Sequence, residues 1–167
     1  MGLRPVETPE HLAEVRRLFR AFVTWQRGRQ DQDLAMVDAY FDEAAWEREL
    51  SGLPGAYAPP DGALLLAWVE GAAVGCVAMR RIGAGACEMK RMYVDEAGRG
   101  TGVGRALGEA VVAAAREAGY REMFLDTSIG QHEALGLYRS LGFVDVEPYY
   151  EVAAELRDWL VFMRLDL

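Results

Sequence analysis

Arg99, Gly102 and Gly104 make the pattern Arg-x-x-Gly-x-Gly within "RGTGVGR", between the apolar run Met92, Tyr93, Val94 and an alanine-rich segment. A strand that passes through a glycine-rich turn into a helix gathers unpaired backbone N–H groups at the positive end of a helix dipole, which is chemistry for holding an anion. Arg99 and Arg105 flank the loop with guanidinium forks that suit phosphate oxygens. Spacing excludes two common phosphate loops. A dinucleotide fingerprint starting at Gly100 or Gly102 would need a further glycine where Arg105 or Leu107 stands, and no Gly-Lys-Ser or Gly-Lys-Thr tripeptide occurs.

The loop needs a strand before it and a helix after it, and the periodicities supply both. "CEMKRMYV" reads as the strand, while Leu107, Ala110, Val111, Ala114, Ala115 and Ala118 share one side of a helix that Gly119 closes. Upstream, "ALLLAWV" and "AVGCVAM" are too uniformly apolar to be half-exposed and read as central strands around a Glu70-Gly71 turn, with a second turn at Gly83 to Gly85. Downstream, "EMFLD" is a short strand, and Ser128 with Gln131 has the form of a capping box. The helix it opens presents Ala134, Leu137, Tyr138 and Leu141, and "FVDVE" and "WLVFMRLDL" complete the sheet. At the other end, Thr8 and Pro9 cap a first helix running to about Gln26. Leu34, Val37, Phe41 and Ala44 then lay a second helical stripe ending near Leu50, and 51–61 is a loop.

Composition narrows the function classes. A chain of 167 residues with 51% hydrophobic content suits one domain, 1–167. The net charge of -8 opposes a nucleic-acid partner. Glu70 and Gly71 cut the longest apolar stretch, Gly62 to Met79, so no membrane span is expected. The opening "MGLRPVETPE" lacks a secretory core, and Val6 breaks the myristoylation pattern. Cys76 and Cys87 lie in strand-like runs and read as reduced core thiols of a cytoplasmic protein. His11 and His132 have no ligand spacing around them, so no metal is expected.

With its strand and helix, "RMYVDEAGRGTGVGRAL" resembles the pyrophosphate-binding motif of the acetyl-CoA-dependent N-acetyltransferase superfamily, GNAT. "ALGLYRSLGF" is similar to that family's later motif, a Leu-Tyr pair before Gly-Phe at a helix end. The resemblance covers about Ala63 to Leu167 well and the first 60 residues in layout only. It implies an α/β (α+β) GNAT fold, a mixed and mostly antiparallel sheet of about six or seven strands with helices on both faces.

The resemblance also implies roles. Acetyl-CoA would set its diphosphate on the N–H groups of Gly100, Thr101, Gly102, Val103, Gly104 and Arg105, with Arg99 beside them, where glycines let the backbone approach closely. Met92, Tyr93 and Val94 would meet the pantetheine arm through main-chain atoms, and a main-chain N–H near Met92 would face the developing oxyanion. Glu88 falls at the family's glutamate-base position; its alternative is an exposed strand glutamate paired with Lys90 or Arg80. Tyr138 matches the tyrosine that protonates the departing thiolate; its alternative is a core aromatic. Many members carry asparagine where Gln131 stands, which leaves a contact from Gln131 to the cofactor unsupported.

The implied reaction is acetyl transfer to a primary amine by direct attack in a ternary complex. A small-molecule acceptor is expected; a protein lysine or N-terminus, or a non-catalytic CoA sensor, are the alternatives, and a homodimer is compatible with the resemblance. Between Asp31 and Glu49 seven acids stand against one base, either a draw for a cationic amine or a solvated face. Tyr149 and Tyr150 either line an acceptor pocket or pack over strand ends.

Overall fold

The computed structural model describes residues 1–29 and 33–167; Asp31 lies outside them. The chain builds β1 (Gly2–Pro5), α1 (Pro9–Arg27), α2 (Leu34–Tyr40), α3 (Glu43–Ser51), β2 (Ala63–Val69), β3 (Ala72–Gly83) and β4 (Ala86–Val94). It continues with α4 (Val103–Glu117), β5 (Glu122–Ser128), α5 (His132–Ser140), β6 (Val144–Val146) and β7 (Leu160–Asp166). One seven-stranded sheet has the order β1-β2-β3-β4-β5-β7-β6. Only the β4/β5 pair is parallel.

Each face of the sheet is covered by its own apolar cluster. Val15, Leu18, Phe19 and Phe22 of α1, with Val37, Trp46 and Leu50, pack on Leu64, Leu66, Cys76 and Phe162. Val103, Leu107 and Val111 of α4 pack with Val77, Met89, Met123 and Met163 on the other face. The strands expected to be central are therefore apolar on both sides. Glu70 (φ 50°) and Gly71 (φ 86°) supply the two left-handed residues of the β2–β3 hairpin turn.

Three local expectations change, and one open alternative is decided. The stripe from Leu34 to Leu50 is two helices: Asp42, whose carboxylate accepts from the Ala45 N–H at 2.8 Å, caps α3 and ends the run. The "MGLRP" opening adds strand β1, paired with β2 from Gly2↔Trp68 to Pro5↔Leu65. Edge pairing through the backbone asks for no apolar pattern. The capping box does not form, because β5 extends through Ser128 and α5 begins at His132, with no side-chain cap from Gln131. Tyr149 and Tyr150 pack on Phe162, and each hydroxyl also donates to a buried carboxylate.

Two irregularities of β4 shape the middle of the sheet. Its ladder with β5 runs only from Ala86↔Glu122 to Glu88↔Phe124, after which the two strands part. Toward β3, Cys76 pairs with Tyr93 but Ala78 pairs with Lys90, so Arg91 and Met92 together oppose Val77 in a β-bulge. Arg91 sits there at φ 56°, in the left-handed region that a non-glycine residue enters at a cost.

Candidate active site

The fork between β4 and β5 opens on both faces of the sheet. On the α4 side lies an open cleft walled by Met92, Tyr93, Val94, Arg99, Gly100, Gly102, Val103, Gly104 and Tyr138, with Trp25, Arg29, Gln131 and Leu137. On the α1 side, a narrower cavity is bordered by Tyr40, Lys90, Arg91, Met92, Asp126, Gln131, Tyr138 and Trp159. Met92, Gln131 and Tyr138 belong to both walls. That is where two ligands entering from opposite faces would meet.

The glycine loop leaves backbone N–H groups without acceptors among the described residues at the start of a helix. Among the described residues, the first N–H of α4 to find an acceptor is that of Ala106, on the Gly102 carbonyl at 3.0 Å. The preceding N–H groups stand at the helix's positive end. Gly102 caps α4 in left-handed backbone (φ 85°), and a Cβ there or at Gly100 (φ 74°) would meet nothing, so it is the backbone geometry that calls for glycine at both positions. Gly104 is different: a Cβ would make only ordinary contacts with Leu137 and Val94.

The flanking side chains divide. Arg99 lines the cleft; its Nε donates to the Val94 carbonyl at 3.1 Å, and its guanidinium lies 4.9 Å from the Trp25 ring centre. Arg29 lies 4.6 Å from the same ring. Arg105 lies outside the cleft wall and donates to Ser140 Oγ at 2.8 Å. Thr101 also stands outside it, its hydroxyl donating to the Gly98 carbonyl at 2.7 Å. Trp25 and Arg29 escape sequence reading because they come from the end of α1 and the turn after it, in the segment where the motifs are silent.

Glu88 is fully buried and forms no part of either wall. One carboxylate oxygen receives the Tyr149 hydroxyl at 2.6 Å and lies 3.3 Å from Lys90 Nζ, while the other receives Arg80 Nε at 2.7 Å. It thus pairs with both cations named in the alternative reading, but as a core residue and not as an exposed one. Asp126, on β5, is the carboxylate that borders the cavity. Burial alone would raise its pKa; Lys90 and the hydroxyls of Tyr150 and Tyr40 outweigh burial and hold it below the ordinary value of 3.8.

Tyr138 projects from α5 to the junction, and among the described residues its hydroxyl has no hydrogen-bond partner. Burial, reinforced by Asp126 and Tyr40, raises its pKa above the ordinary phenol value of 10.0, so the group stays protonated at neutral pH. Cys76 and Cys87 are buried free thiols, each pushed up to about 12 mainly by burial. Among the described residues no three His, Cys, Asp or Glu side chains converge as a metal site requires, and no helix is long and apolar enough to cross a membrane.

Free N–H groups in a glycine loop between β4 and α4 have the strand–loop–helix order that the first motif implied, and the fork and bulge of β4 are added by the fold. Residues 14–143 match the family model described as the acetyltransferase (GNAT) family. The chain belongs to the GNAT acetyltransferase family. An uncharacterized N-acetyltransferase of Schizosaccharomyces pombe is 41% identical over 113 residues, 66% of this chain and 68% of that protein. An IAA acetyltransferase of Azospirillum brasilense is 39% identical over 94 residues, 55% of this chain and 61% of its own length. Among solved GNAT-like structures, a putative acyl-CoA N-acyltransferase from Klebsiella pneumoniae superposes with a TM-score of 0.73 at 26% identity, covering 99% of this chain and 97% of its own. A Salmonella typhimurium acetyltransferase solved with acetyl-CoA has the same fold, with a TM-score of 0.64 at 21% identity and coverage of 99% and 93%.

Proposed function

We propose that this GNAT chain transfers an acetyl group from acetyl-CoA to the primary amine of a small molecule, by direct attack while both are bound. The carrying observation is the junction at Met92, Gln131 and Tyr138, shared by a cleft suited to the cofactor and a cavity on the opposite face. The free N–H groups before Ala106 fit a diphosphate, and Met92, Tyr93 and Val94 line the path from there to the junction. Acetyl-CoA supplies the activated acyl group as a thioester.

The protein's own residues do the rest. The bulge sets the Arg91–Met92 peptide outside the regular ladder, where its main chain serves as the carbonyl's polar partner. Tyr138, protonated and without a hydrogen-bond partner among the described residues, gives its proton to the leaving sulfur and is restored by the proton that the attacking amine sheds as it becomes the amide. Glu88 has both carboxylate oxygens engaged and supports the site by balancing Arg80 and Lys90. A small acceptor is supported by the narrow, aromatic-walled cavity and by the relative named for a small-molecule acceptor.

Free-CoA release measured over a broad panel of small amines and peptides tests the reading. Turnover with small amines supports it, and preference for a peptide moves the acceptor to proteins. Acetyl-CoA binding by calorimetry with no thiol release from any acceptor would make the chain a sensor instead.

A further inference from the structure

Arg91 combines an unfavourable backbone with an elaborate hold on its side chain. It occupies left-handed φ inside the β4 bulge, next to Met92, which belongs to both walls of the site. Its Nε and Nη2 donate in parallel to Glu49 Oε1 and Oε2 of α3, at 2.9 and 2.6 Å. Its guanidinium lies 5.1 Å from the Phe41 ring centre and 5.0 Å from that of Trp46. Glu49 is itself oriented by the Tyr57 hydroxyl, which donates to Oε1 at 2.7 Å. The Arg91 carbonyl accepts from the Cys76 thiol at 3.5 Å. A strained backbone persists only where its surroundings over-determine it. Here the surroundings are the helical layer covering the α1 side.

We propose that Glu49 is a positioning residue for acetyl transfer, holding Arg91 in its left-handed conformation and thereby fixing the peptide beside Met92 at the junction. Glu49 belongs to neither wall of the site. Without its carboxylate, Arg91 relaxes toward ordinary strand geometry, the bulge shifts along β4 and the Met92 main chain leaves its place. The inference rests on the proposed acetyl transfer for its kinetic consequence but not for its structural one. Glycine enters left-handed backbone without the penalty and needs no clamp. The strain account therefore requires that Glu49 matter when residue 91 is arginine and matter little when it is glycine.

Wild type, Glu49→Ala, Arg91→Gly and the double variant form the test. Glu49→Ala is expected to lower kcat by about tenfold or more while the acetyl-CoA Kd from calorimetry stays within about twofold, because a small misplacement at a reacting centre costs rate before it costs cofactor binding. In the Arg91→Gly background the same substitution is expected to change kcat by less than about threefold, which isolates the coupling. Hydrogen exchange of the segment carrying Arg91 and Met92, read without any substrate, is expected to quicken in Glu49→Ala and not to quicken further in the double variant. Glu49→Gln, which keeps the shape and one acceptor oxygen, should recover part of the rate and replaces Glu49→Ala should that protein fail to fold. Equal loss of kcat in both backgrounds, or unchanged exchange at the bulge in Glu49→Ala, overturns the proposal. Absence of transfer by wild type to any amine removes the proposed reaction, and the exchange comparison still decides the clamp.

Discussion

Lys90 on β4 and Asp126 on β5 face each other at 2.9 Å, just beyond the last backbone pair of their two strands, Glu88↔Phe124. An ion pair thus takes over where the ladder ends. It holds the fork at a fixed width while leaving its centre open. Tyr40 donates to Asp126 and accepts from Lys90, and Tyr150 donates to Asp126 from the other side, so the bridge is hydrogen-bonded as well as paired.

Asp126→Asn should reveal this bridge through pH. The folded-state pKa of Asp126 lies below its ordinary 3.8, so its stabilisation is present above that value and is lost as acid takes the pH through the folded value. Lys90, raised by Tyr40, Asp126 and Glu88 against the pull of burial, loses its share only as pH climbs above 10.5. Denaturant melts from pH 2 to 8 should therefore show a wild-type acid limb below about pH 4 that is flatter in the variant. Near pH 7 the variant should lose on the order of 3 kcal/mol. An acid limb identical to wild type would show that the bridge contributes no linkage.

The glycine loop offers a contrast between two neighbouring positions. Gly102→Ala forces a side chain into φ 85° and should cost about 1–2 kcal/mol of stability along with acetyl-CoA affinity. Gly104→Ala meets only Leu137 at 3.6 Å and Val94 at 3.8 Å, so its melting temperature should stay near wild type while its methyl crowds the cofactor cleft. Calorimetric titration with acetyl-CoA beside thermal melts separates the two effects. Full affinity in both variants would remove the loop from the binding site.

Tyr138→Phe removes a hydroxyl that bonds to nothing among the described residues, so stability should change by less than about 1 kcal/mol. Thiol release should fall by about a hundredfold at neutral pH if that hydroxyl is the proton donor. Measured across pH with an identified acceptor, an unchanged rate would assign the residue to packing.

Trp159 carries a buried Nε1–H without a partner among the described residues and borders the narrower cavity, proposed above for the acceptor. Removing an unsatisfied donor costs little, so Trp159→Phe should melt within about 1 kcal/mol of wild type. Its effect should appear as a changed acceptor KM with an unchanged acetyl-CoA Kd. A change confined to the cofactor would place Trp159 on the wrong side of the fork.

Much of this molecule is legible in local sequence. The strand into Val94, the glycine turn and the helix from Val103 to Glu117 obey short-range rules, and so do the Thr8 cap and the Glu70-Gly71 hairpin. Asp42 was legible in principle, since an acid three residues before Ala45 is a cap signal; it read as one more charge in an acidic stretch. Glu88 was not legible. Its neighbours in sequence gave Lys90 and Arg80, but only the packing of β3, β4 and the segment after β6 buries it and adds Tyr149.

The sequence by itself determined that a glycine-rich turn sits between a strand and a helix, and that Tyr138 lies on the helix of a second motif. Both follow from residue periods of a few positions, because backbone conformation and side-chain direction are set locally. Tertiary structure alone decided where β4 leaves β5, which carboxylate faces the cavity, and that Glu49 reaches Arg91 across 42 positions. Those relations join residues from separate elements, and charge pairing at such distances along the chain has no period for a sequence to display.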